Sequence, residues 1–151
     1  MFSDRSIIEN TVIVNNEKTK VSLIRDKKEK METDRIVKNL NVSLADTNQE
    51  IKSLSGGNQQ KVVLGRWLLG NSDVYIFDEP TKGVDVGAKE EIYKDIVELA
   101  QKSKIIILIS SDMPELLSLS DRIGIMKNGR MTRIIQHGIQ EEELIKYYLE
   151  A

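Results

Sequence analysis

The amino-acid sequence predicts an α/β fold built on a parallel sheet, from two apolar runs and the helical pattern between them. Residues 74–77 and 105–109 are consecutive apolar residues without polar alternation, which is typical of strands buried on both faces of a parallel sheet. Between the two runs, apolar residues recur at three- and four-residue spacing from Ile92 to Leu99, as on one face of a helix. Strand, helix and strand in this order make a βαβ unit.

The segments that follow extend this pattern. Residues 113–119 predict a second crossover, which leads into a strand at 122–126. Asn128-Gly129 predicts a tight hairpin turn into a strand at 131–135, because both residue types accept positive φ angles. A last helix is predicted at 141–149.

Residues 1–53 differ in texture from the rest of the chain. Their apolar residues are scattered, and the stretch from Glu17 to Arg35 is crowded with charges of both signs. This pattern favours short helices with solvated faces. We therefore divide the chain into residues 1–53, predicted to be helical, and residues 54–151, predicted to be α/β.

The composition excludes several classes of function. The 151 residues carry 22 basic and 24 acidic side chains, and a net charge of −2 gives no general electrostatic reason to bind nucleic acid. The absence of cysteine excludes disulfides and cysteine-based zinc sites, and a single histidine, His137, excludes a histidine pair on a metal. No apolar run approaches the roughly 20 residues that span a bilayer, so any membrane role is expected to be peripheral.

The first candidate site is Leu54-Ser55-Gly56-Gly57-Asn58-Gln59-Gln60, directly before the amphipathic stretch 61–69. The two glycines let backbone amides approach an anion, and a helix that begins there points the positive end of its dipole outward. A phosphate group fits this arrangement. A serine that merely caps a helix is the alternative interpretation of the same residues.

The second candidate site is the acidic pair Asp78-Glu79, which ends the first apolar strand. The carboxyl ends of parallel strands are where open α/β sheets bind their ligands. One acid at such an edge can hold Mg²⁺, and its neighbour can orient an attacking water. A strand that simply ends in polar residues is the alternative.

The two candidate sites together resemble a known family. Leu54-Ser55-Gly56-Gly57, a helix, and then an apolar strand with Asp78-Glu79-Pro80-Thr81 are similar to the signature and Walker B elements of ATP-binding-cassette ATPases, in order and spacing. The strings at 54–62 and 83–89 resemble the second cassette of tandem ATPases that serve ribose, galactose and xylose importers. The resemblance runs from about residue 6 to the C-terminus. It implies part of a P-loop nucleotide-hydrolase core, preceded by a small helical subdomain at 1–53.

The resemblance also implies roles for individual residues, with ATP and Mg²⁺ as cofactors. Family cassettes work as head-to-tail pairs, and the signature of one cassette binds the γ-phosphate of the nucleotide held by the other. The signature residues here are Ser55, Gly56, Gly57, Asn58 and Gln59. Asp78 would support Mg²⁺ and Glu79 would be the general base. Asp85 matches the D-loop aspartate at the interface of the pair, and it can also cap the helix that starts near Gly87.

The chain departs from the family pattern at three points. No Gly-x-x-x-x-Gly-Lys-Ser/Thr loop occurs, so the chain alone is expected to bind ATP poorly and to be a truncated frame or fragment. The position of the family's switch histidine is Ser111, whose hydroxyl can donate one hydrogen bond but cannot supply imidazole's charge. Serine is common there in the second cassette of the sugar-importer group. The glutamine-bearing loop that senses Mg²⁺ is also missing, since it is expected before residue 6.

The resemblance implies the ATP-binding subunit of a bacterial carbohydrate importer, peripheral to the cytoplasmic face of the membrane. Its partners would be a second cassette, permease subunits and, indirectly, a periplasmic or extracellular sugar-binding protein, and no nucleic acid. Two alternatives stay open. The chain could be a non-enzymatic module that lends its signature in trans, or an inert fragment; less in keeping with the sequence, it could derive from a cassette ATPase of DNA repair or translation.

Three further expectations concern packing. Trp67 is expected to pack in the core or on the helical subdomain, and His137 to be an ordinary surface residue. Without the strand that leads into the missing phosphate-binding loop, apolar surface and a strand edge are expected to be open. The isolated chain is therefore expected to run above monomer size.

Overall fold

A computed structural model describes residues 1–19 and 26–150 of the chain, with residues 15–19 and 26 described by their backbone alone. Within these ranges the helices are α1 Ile7–Thr19, α2 Asp26–Asn39, α3 Gly56–Leu68, α4 Val86–Gln101, α5 Met113–Leu119 and α6 Glu141–Glu150. The strands are β1 Val74–Asp78, β2 Ile105–Ile109, β3 Arg122–Lys127 and β4 Arg130–Gln136. A 3₁₀ turn, Ile51–Ser53, leads into α3.

The predicted strands and helices of the α/β part are confirmed, with bounds that differ by a few residues. The hairpin between β3 and β4 is antiparallel, and Asn128 and Gly129 have φ angles of 51° and 75°, as a two-residue primed turn requires. The short helices predicted in the first 53 residues are α1 and α2. The part of that prediction that falls on residues 20–25 lies outside the described residues.

β1 and β2 form a two-stranded parallel sheet. The Ile105 amide donates to the Asp73 carbonyl over 2.9 Å, and the Glu79 amide donates to the Ile109 carbonyl over 2.8 Å. The strands therefore start together and end together, which places Glu79 at their carboxyl edge. This arrangement confirms the parallel pairing predicted from the two apolar runs.

The prediction that both strands are buried on both faces is wrong. Tyr75 and Phe77 are buried, but Ile76 between them is 65% exposed, and Ile107 in β2 is 46% exposed. Successive side chains of a strand point to opposite faces, so one face of each strand is covered and the other is open to solvent. An apolar run in the sequence shows that a strand can be buried on both faces. The residues that would bury it belong to other elements, which the run does not predict.

The chain forms two compact units. The first unit comprises residues 1–75 and 81–105, and the second comprises residues 76–80 and 106–151. The predicted division of the chain at residue 53 into a helical subdomain and an α/β part stays a prediction. Each unit has its own buried side chains, and each contains one of the two candidate sites.

In the first unit, α1, α2 and α3 pack on one another, and α3 also packs on α4. A Cβ at Gly65 in α3 would lie 2.3 Å from Cγ2 of Ile36 in α2, so the Ile36 side chain occupies the space that a side chain at position 65 would need. The buried Arg66 guanidinium binds α1, because its Nε donates to the Asn10 carbonyl over 2.6 Å and its Nη2 to Asn10 Oδ1 over 2.9 Å. These contacts fix α3, which carries the signature residues at its start.

The core of the second unit joins the hairpin to α5 and α6. Its buried residues are Ile123, Ile125, Ile135 and Leu144, with Met113, Leu116, Leu117, Ile139 and Tyr147 packed against them. Arg133 lies over the Tyr147 ring, 4.2 Å from its centroid, a cation–π contact between β4 and α6. Across the described residues of both units, none of the helices is long and apolar enough to cross a membrane.

Candidate functional site

The signature residues form the N-terminus of α3. Ser55 is the N-cap with extended backbone angles, and its Oγ accepts a hydrogen bond from the Asn58 amide at 3.5 Å. The structure therefore confirms the helix cap that was the alternative interpretation of Ser55. Capping does not exclude anion binding, because Ser55 and Gly56 are exposed and the first amides of the 13-residue helix have no partner within the helix.

Asn58 and Gln59 hold the shape of this turn. Asn58 Nδ2 donates to Ser55 Oγ over 2.9 Å, while its Oδ1 accepts from the Ser43 amide at 2.8 Å. Gln59 Nε2 donates to the Leu54 carbonyl over 2.8 Å. Both side chains are thus engaged with the backbone around Ser55, and their predicted contact with a phosphate stays a prediction.

Gly57 brings the signature against the D-loop. An added Cβ would lie 2.6 Å from the Cβ of Ala88 in α4 and 3.7 Å from Oδ2 of Asp85. Real Cβ atoms do not approach this closely, so any larger residue would push α3 away from α4. A glycine at this position is therefore required by packing as well as by the amide arrangement at the helix start.

Asp85 caps α4. Its Oδ1 accepts from the Ala88 amide at 3.0 Å, which confirms the predicted N-cap, and α4 begins at Val86, next to Gly87. Asp85 is exposed, and Gly83 before it has a φ angle of 75°. The first unit therefore presents two capped helix starts that meet through Gly57.

In the second unit, Asp78 is the last residue of β1 and Glu79 follows it. Asp78 is exposed, and Glu79 has a φ angle of 49°, which is strained for a side chain of this type. The Glu79 amide donates to the Ile109 carbonyl of β2, which holds this backbone in place. A backbone conformation of this kind costs about 1 kcal/mol or more. The contacts around Glu79 must therefore hold it in this conformation.

Ser111 lies beside Glu79. The Ser111 amide donates to Glu79 Oε1 over 3.0 Å, so the switch position touches the predicted base through its backbone. Asp112 follows as the N-cap of α5, its Oδ1 accepting from the Glu115 amide at 3.2 Å. The structure thus brings Glu79 and Ser111 together, as it brings Ser55 and Gly57 together with Asp85 in the first unit.

The carboxylates of Asp78 and Glu79 fit a Mg²⁺ ion that is also bound by the phosphates of a nucleotide. No group of three or more acidic, histidine or cysteine residues that could hold a metal occurs in the described ranges. Mg²⁺ in phosphate-transfer sites is bound by one or two carboxylates together with phosphate oxygens and water. Asp78, a single exposed carboxylate at a strand end, suits that mode and does not suit a metal held by protein alone.

Sequence reasoning gave Lys61 no function beyond the helix start, and the structure gives it more. Lys61 is 2% exposed, and its ammonium contacts the Glu91 carboxylate of α4. Burial raises the pKa of the neighbouring Asp95 carboxyl to about 6, against a smaller lowering by Lys61. One signal was available: Lys61 lies four residues from both Gly57 and Gly65, on the stripe of α3 that packs closest to other helices.

For Trp67 the core alternative is wrong, because this residue, near the end of α3, is 49% exposed. Its packing on the helical subdomain stays a prediction. His137 is an exposed surface residue, as expected, and its Nδ1 lies 3.2 Å from the Ser120 carbonyl.

A family model described as ABC transporter matches residues 1–82. The chain is 47% identical over 147 residues to the galactose/methyl galactoside import ATP-binding protein of Mannheimia succiniciproducens, covering 96% of this chain and 29% of that protein. It is 48% identical over 130 residues to the protein of the same name from Escherichia coli K12, covering 86% and 25%. The chain thus spans less than a third of the length of these relatives.

Solved structures show the same fold. A nucleotide-free ATP-binding cassette from an ABC transporter superposes with a TM-score of 0.77 at 21% identity, covering 99% of this chain and 60% of that one. The dimeric post-hydrolysis state of a cassette bound to ADP and Pi gives the same TM-score at 20% identity, covering 92% and 60%. The α/β nucleotide-hydrolase fold predicted from the sequence is confirmed.

Proposed function

The chain belongs to the ABC transporter family, and from this membership we propose that it works as part of the ATP-binding subunit of a bacterial carbohydrate importer. The observation that carries the proposal is the capped start of α3, where Ser55 and Gly56 are exposed and Gly57 packs on α4. Helix starts with free amides bind phosphate. The sugar class follows from the relatives, which are named for galactose and methyl galactoside import.

In this proposal the first unit acts on a nucleotide held by another cassette. Ser55 and the amides at the start of α3 bind the γ-phosphate, and Asn58 and Gln59 keep the turn in shape. Asp85 meets the same interface from the start of α4. Residues 1–151 contain no Gly-x-x-x-x-Gly-Lys-Ser/Thr segment, so the loop that grips the β- and γ-phosphates comes from elsewhere.

The acids of the second unit serve a different nucleotide, the one whose phosphate loop belongs to their own cassette. Bound Mg²⁺ would neutralise charge on the phosphates, and Asp78 would support it. Glu79 accepts the proton of the attacking water, and the Ser111 amide orients its carboxylate. The other partners would be the permease subunits and, through them, a sugar-binding protein, with the chain peripheral to the cytoplasmic face of the membrane.

A turnover assay separates the two roles. The chain is mixed with a separately purified partner cassette that carries its own Gly-x-x-x-x-Gly-Lys-Ser/Thr loop, and phosphate release is measured for each alone and for the mixture. We expect no turnover by the chain alone and stimulation of the partner. Replacing Ser55 with Ala should lower the stimulation about tenfold, because a hydrogen bond to a charged group contributes roughly 1.5–3 kcal/mol.

Glu79→Gln is the matched control, since Glu79 does not serve the partner's nucleotide. It should leave the stimulation unchanged. Turnover by the chain alone that Glu79→Gln abolishes would contradict the need for a second phosphate loop. Stimulation that Ser55→Ala leaves intact would contradict the role of the signature.

A further inference from the structure

Lys61 is a buried charge of α3 that contacts two other segments of the first unit. It lies one helical turn after Gly57 in α3, and its side chain is 3% exposed. Its Nζ contacts the Glu91 carboxylate of α4 and donates to the Asn41 carbonyl, just after α2, over 3.2 Å. The Lys61 Nζ thereby connects α3, which begins with the signature residues, to α4 and to the residue segment just after α2.

The position of this contact matches the two helix caps. Lys61 lies six residues after the cap Ser55, and Glu91 lies six residues after the cap Asp85. Six residues correspond to about 9 Å along an α-helix, so the two partners of the ion pair lie equally far from the starts of their own helices. Together with the packing of Gly57 on Ala88, it gives α3 and α4 two points of contact, which restrict both sliding and rotation.

Stability alone does not explain a lysine here. Burying an ammonium group costs several kcal/mol, and replacing a buried ion pair with apolar side chains is often neutral or stabilising. The neighbouring Asp95 adds to that cost, since its Oδ2 is buried without a hydrogen-bond partner among the described residues. An ion pair differs from an apolar contact in its dependence on geometry. The Lys61–Glu91 pair is favourable in only one register of α3 and α4.

We propose that Lys61 is a positioning residue that, through Glu91 and the Asn41 carbonyl, holds Ser55 and Asp85 in register so that both face one ligand. The identity of that ligand as a nucleotide phosphate rests on the proposed function. The register of the two helices does not, because it is a property of the chain itself. The two statements can therefore fail separately.

The register is measured directly with spin labels. The chain has no cysteine, so Gly56→Cys and Gly87→Cys place labels at the starts of α3 and α4 without a background. A Cβ makes only ordinary contacts at both positions, with nearest atoms at 3.6 and 3.5 Å. Dipolar broadening of the frozen spectrum then reports the distribution of distances between the two helix starts.

We expect a narrow distribution in the labelled parent and in Lys61→Arg, which keeps the charge. Lys61→Met, which keeps the length and removes the charge, should give a broader distribution with unchanged helix content. The matched control is Lys102→Met, which removes the exposed pair of Lys102 with Glu98 on α4 and should behave as the parent. A Lys61→Met spectrum equal to that of the parent would overturn the proposal.

A second variant covers the case in which Lys61→Met does not fold. The double variant Lys61→Met/Glu91→Gln removes both charges of the pair, and Glu91 is half-exposed, so its replacement opens no cavity. It should show the same broadening of distances. A narrow distribution in a folded double variant would overturn the proposal as well.

The turnover assay then tests the functional consequence. Lys61→Met should lower stimulation of the partner cassette about fivefold or more, as a lost coupling of at least 1 kcal/mol requires, and Lys61→Arg should restore it. If the parent chain stimulates no partner, the proposed function fails and the label distances still decide the role of Lys61. If the parent stimulates and Lys61→Met stimulates equally, the positioning role is contradicted.

Discussion

Gly57 shows how one residue can serve packing and ligand binding together. It lies at the start of α3, where the backbone amides are open to a phosphate, and its missing side chain lets Ala88 approach. Ser55 and Asp85 have the same double character, since each caps a helix and is exposed at its end. At these residues a structural role and a functional role do not compete.

Replacing Gly57 with Ala should destabilise the chain by about 1–3 kcal/mol, because the new Cβ would overlap Ala88. Thermal unfolding measures the effect. Gly56→Ala is the matched control: its Cβ would meet only the Gly83 carbonyl at 3.6 Å, so its stability should be unchanged or slightly raised. Equal losses in the two variants would show that the close approach of α3 to α4 is not the cause.

The Asp95 carboxyl leads to a prediction of how the stability of the chain depends on pH. The pKa of its carboxyl is raised to about 6 in the folded chain, from 3.8, chiefly by burial. Ionised Asp95 is therefore disfavoured in the folded state, and stability should fall as pH rises from about 4 to 6 and stay lower above that range.

Asp95→Asn removes this penalty. It should raise the free energy of unfolding at pH 7.5 by about 1 kcal/mol, a value reduced from the full shift because the carboxyl is only partly buried. The gain should shrink as the pH is lowered to 4. Thermal unfolding of both proteins across this range tests the sign, and a gain that grows toward low pH would contradict it.

At the scale of elements, contacts between distant polar residues determine how the helices of the first unit meet. The Arg66 guanidinium in α3 binds Asn10 in α1 across a sequence separation of 56 residues. Asn10 Nδ2 in turn donates to the carbonyls of Phe2, Arg5 and Ser6. This network connects the N-terminal residues with α1 and with α3.

Asn10→Ala should cost about 2 kcal/mol, because it removes a hydrogen bond to the buried Arg66 guanidinium and the bonds that Asn10 Nδ2 donates to three carbonyls. The comparison is Lys28→Ala, which removes an exposed ion pair with Glu32 in α2 and should cost less than about 0.5 kcal/mol. Urea unfolding measures both. If the two variants are equally stable, the network does not hold α1 on α3.

The sequence predicted the elements better than the contacts between them. Periodicity and turn residues gave the strands, the hairpin and the C-terminal helix, because those signals are local. The Arg66 and Lys61 contacts have no such signal, since each joins a polar residue to a partner 20 or more residues away. The positive φ angle of Glu79 was also not predictable, because its amide is held by a bond to the Ile109 carbonyl of β2, which is distant in the sequence.

At the scale of the whole molecule, the exposed face of β1 and β2 is the main departure from a closed core. Ile76, Ile107 and Ile109 are between 46% and 65% exposed in the second unit. Contiguous apolar surface of this kind favours association. Self-association was expected from the sequence, and this exposed face of β1 and β2 is the surface through which we expect it to occur.

Ile107→Lys should move the purified chain toward the monomer, because a charge on this face disfavours its burial against another molecule. Sedimentation velocity at several concentrations measures the shift. Val86→Lys is the control, since Val86 is 77% exposed on α4, away from the strands in sequence. A chain that is monomeric without any substitution would contradict the prediction.

The central claim is that Ser55 and the start of α3 bind a nucleotide held by a second cassette. It is tested most directly by association with a partner cassette that binds ATP but cannot hydrolyse it, measured by sedimentation in ATP and in ADP. We predict a complex in ATP only, with Ser55→Arg abolishing it and Glu79→Gln leaving it intact. A complex that forms equally well in ADP, or that survives Ser55→Arg, would contradict the claim.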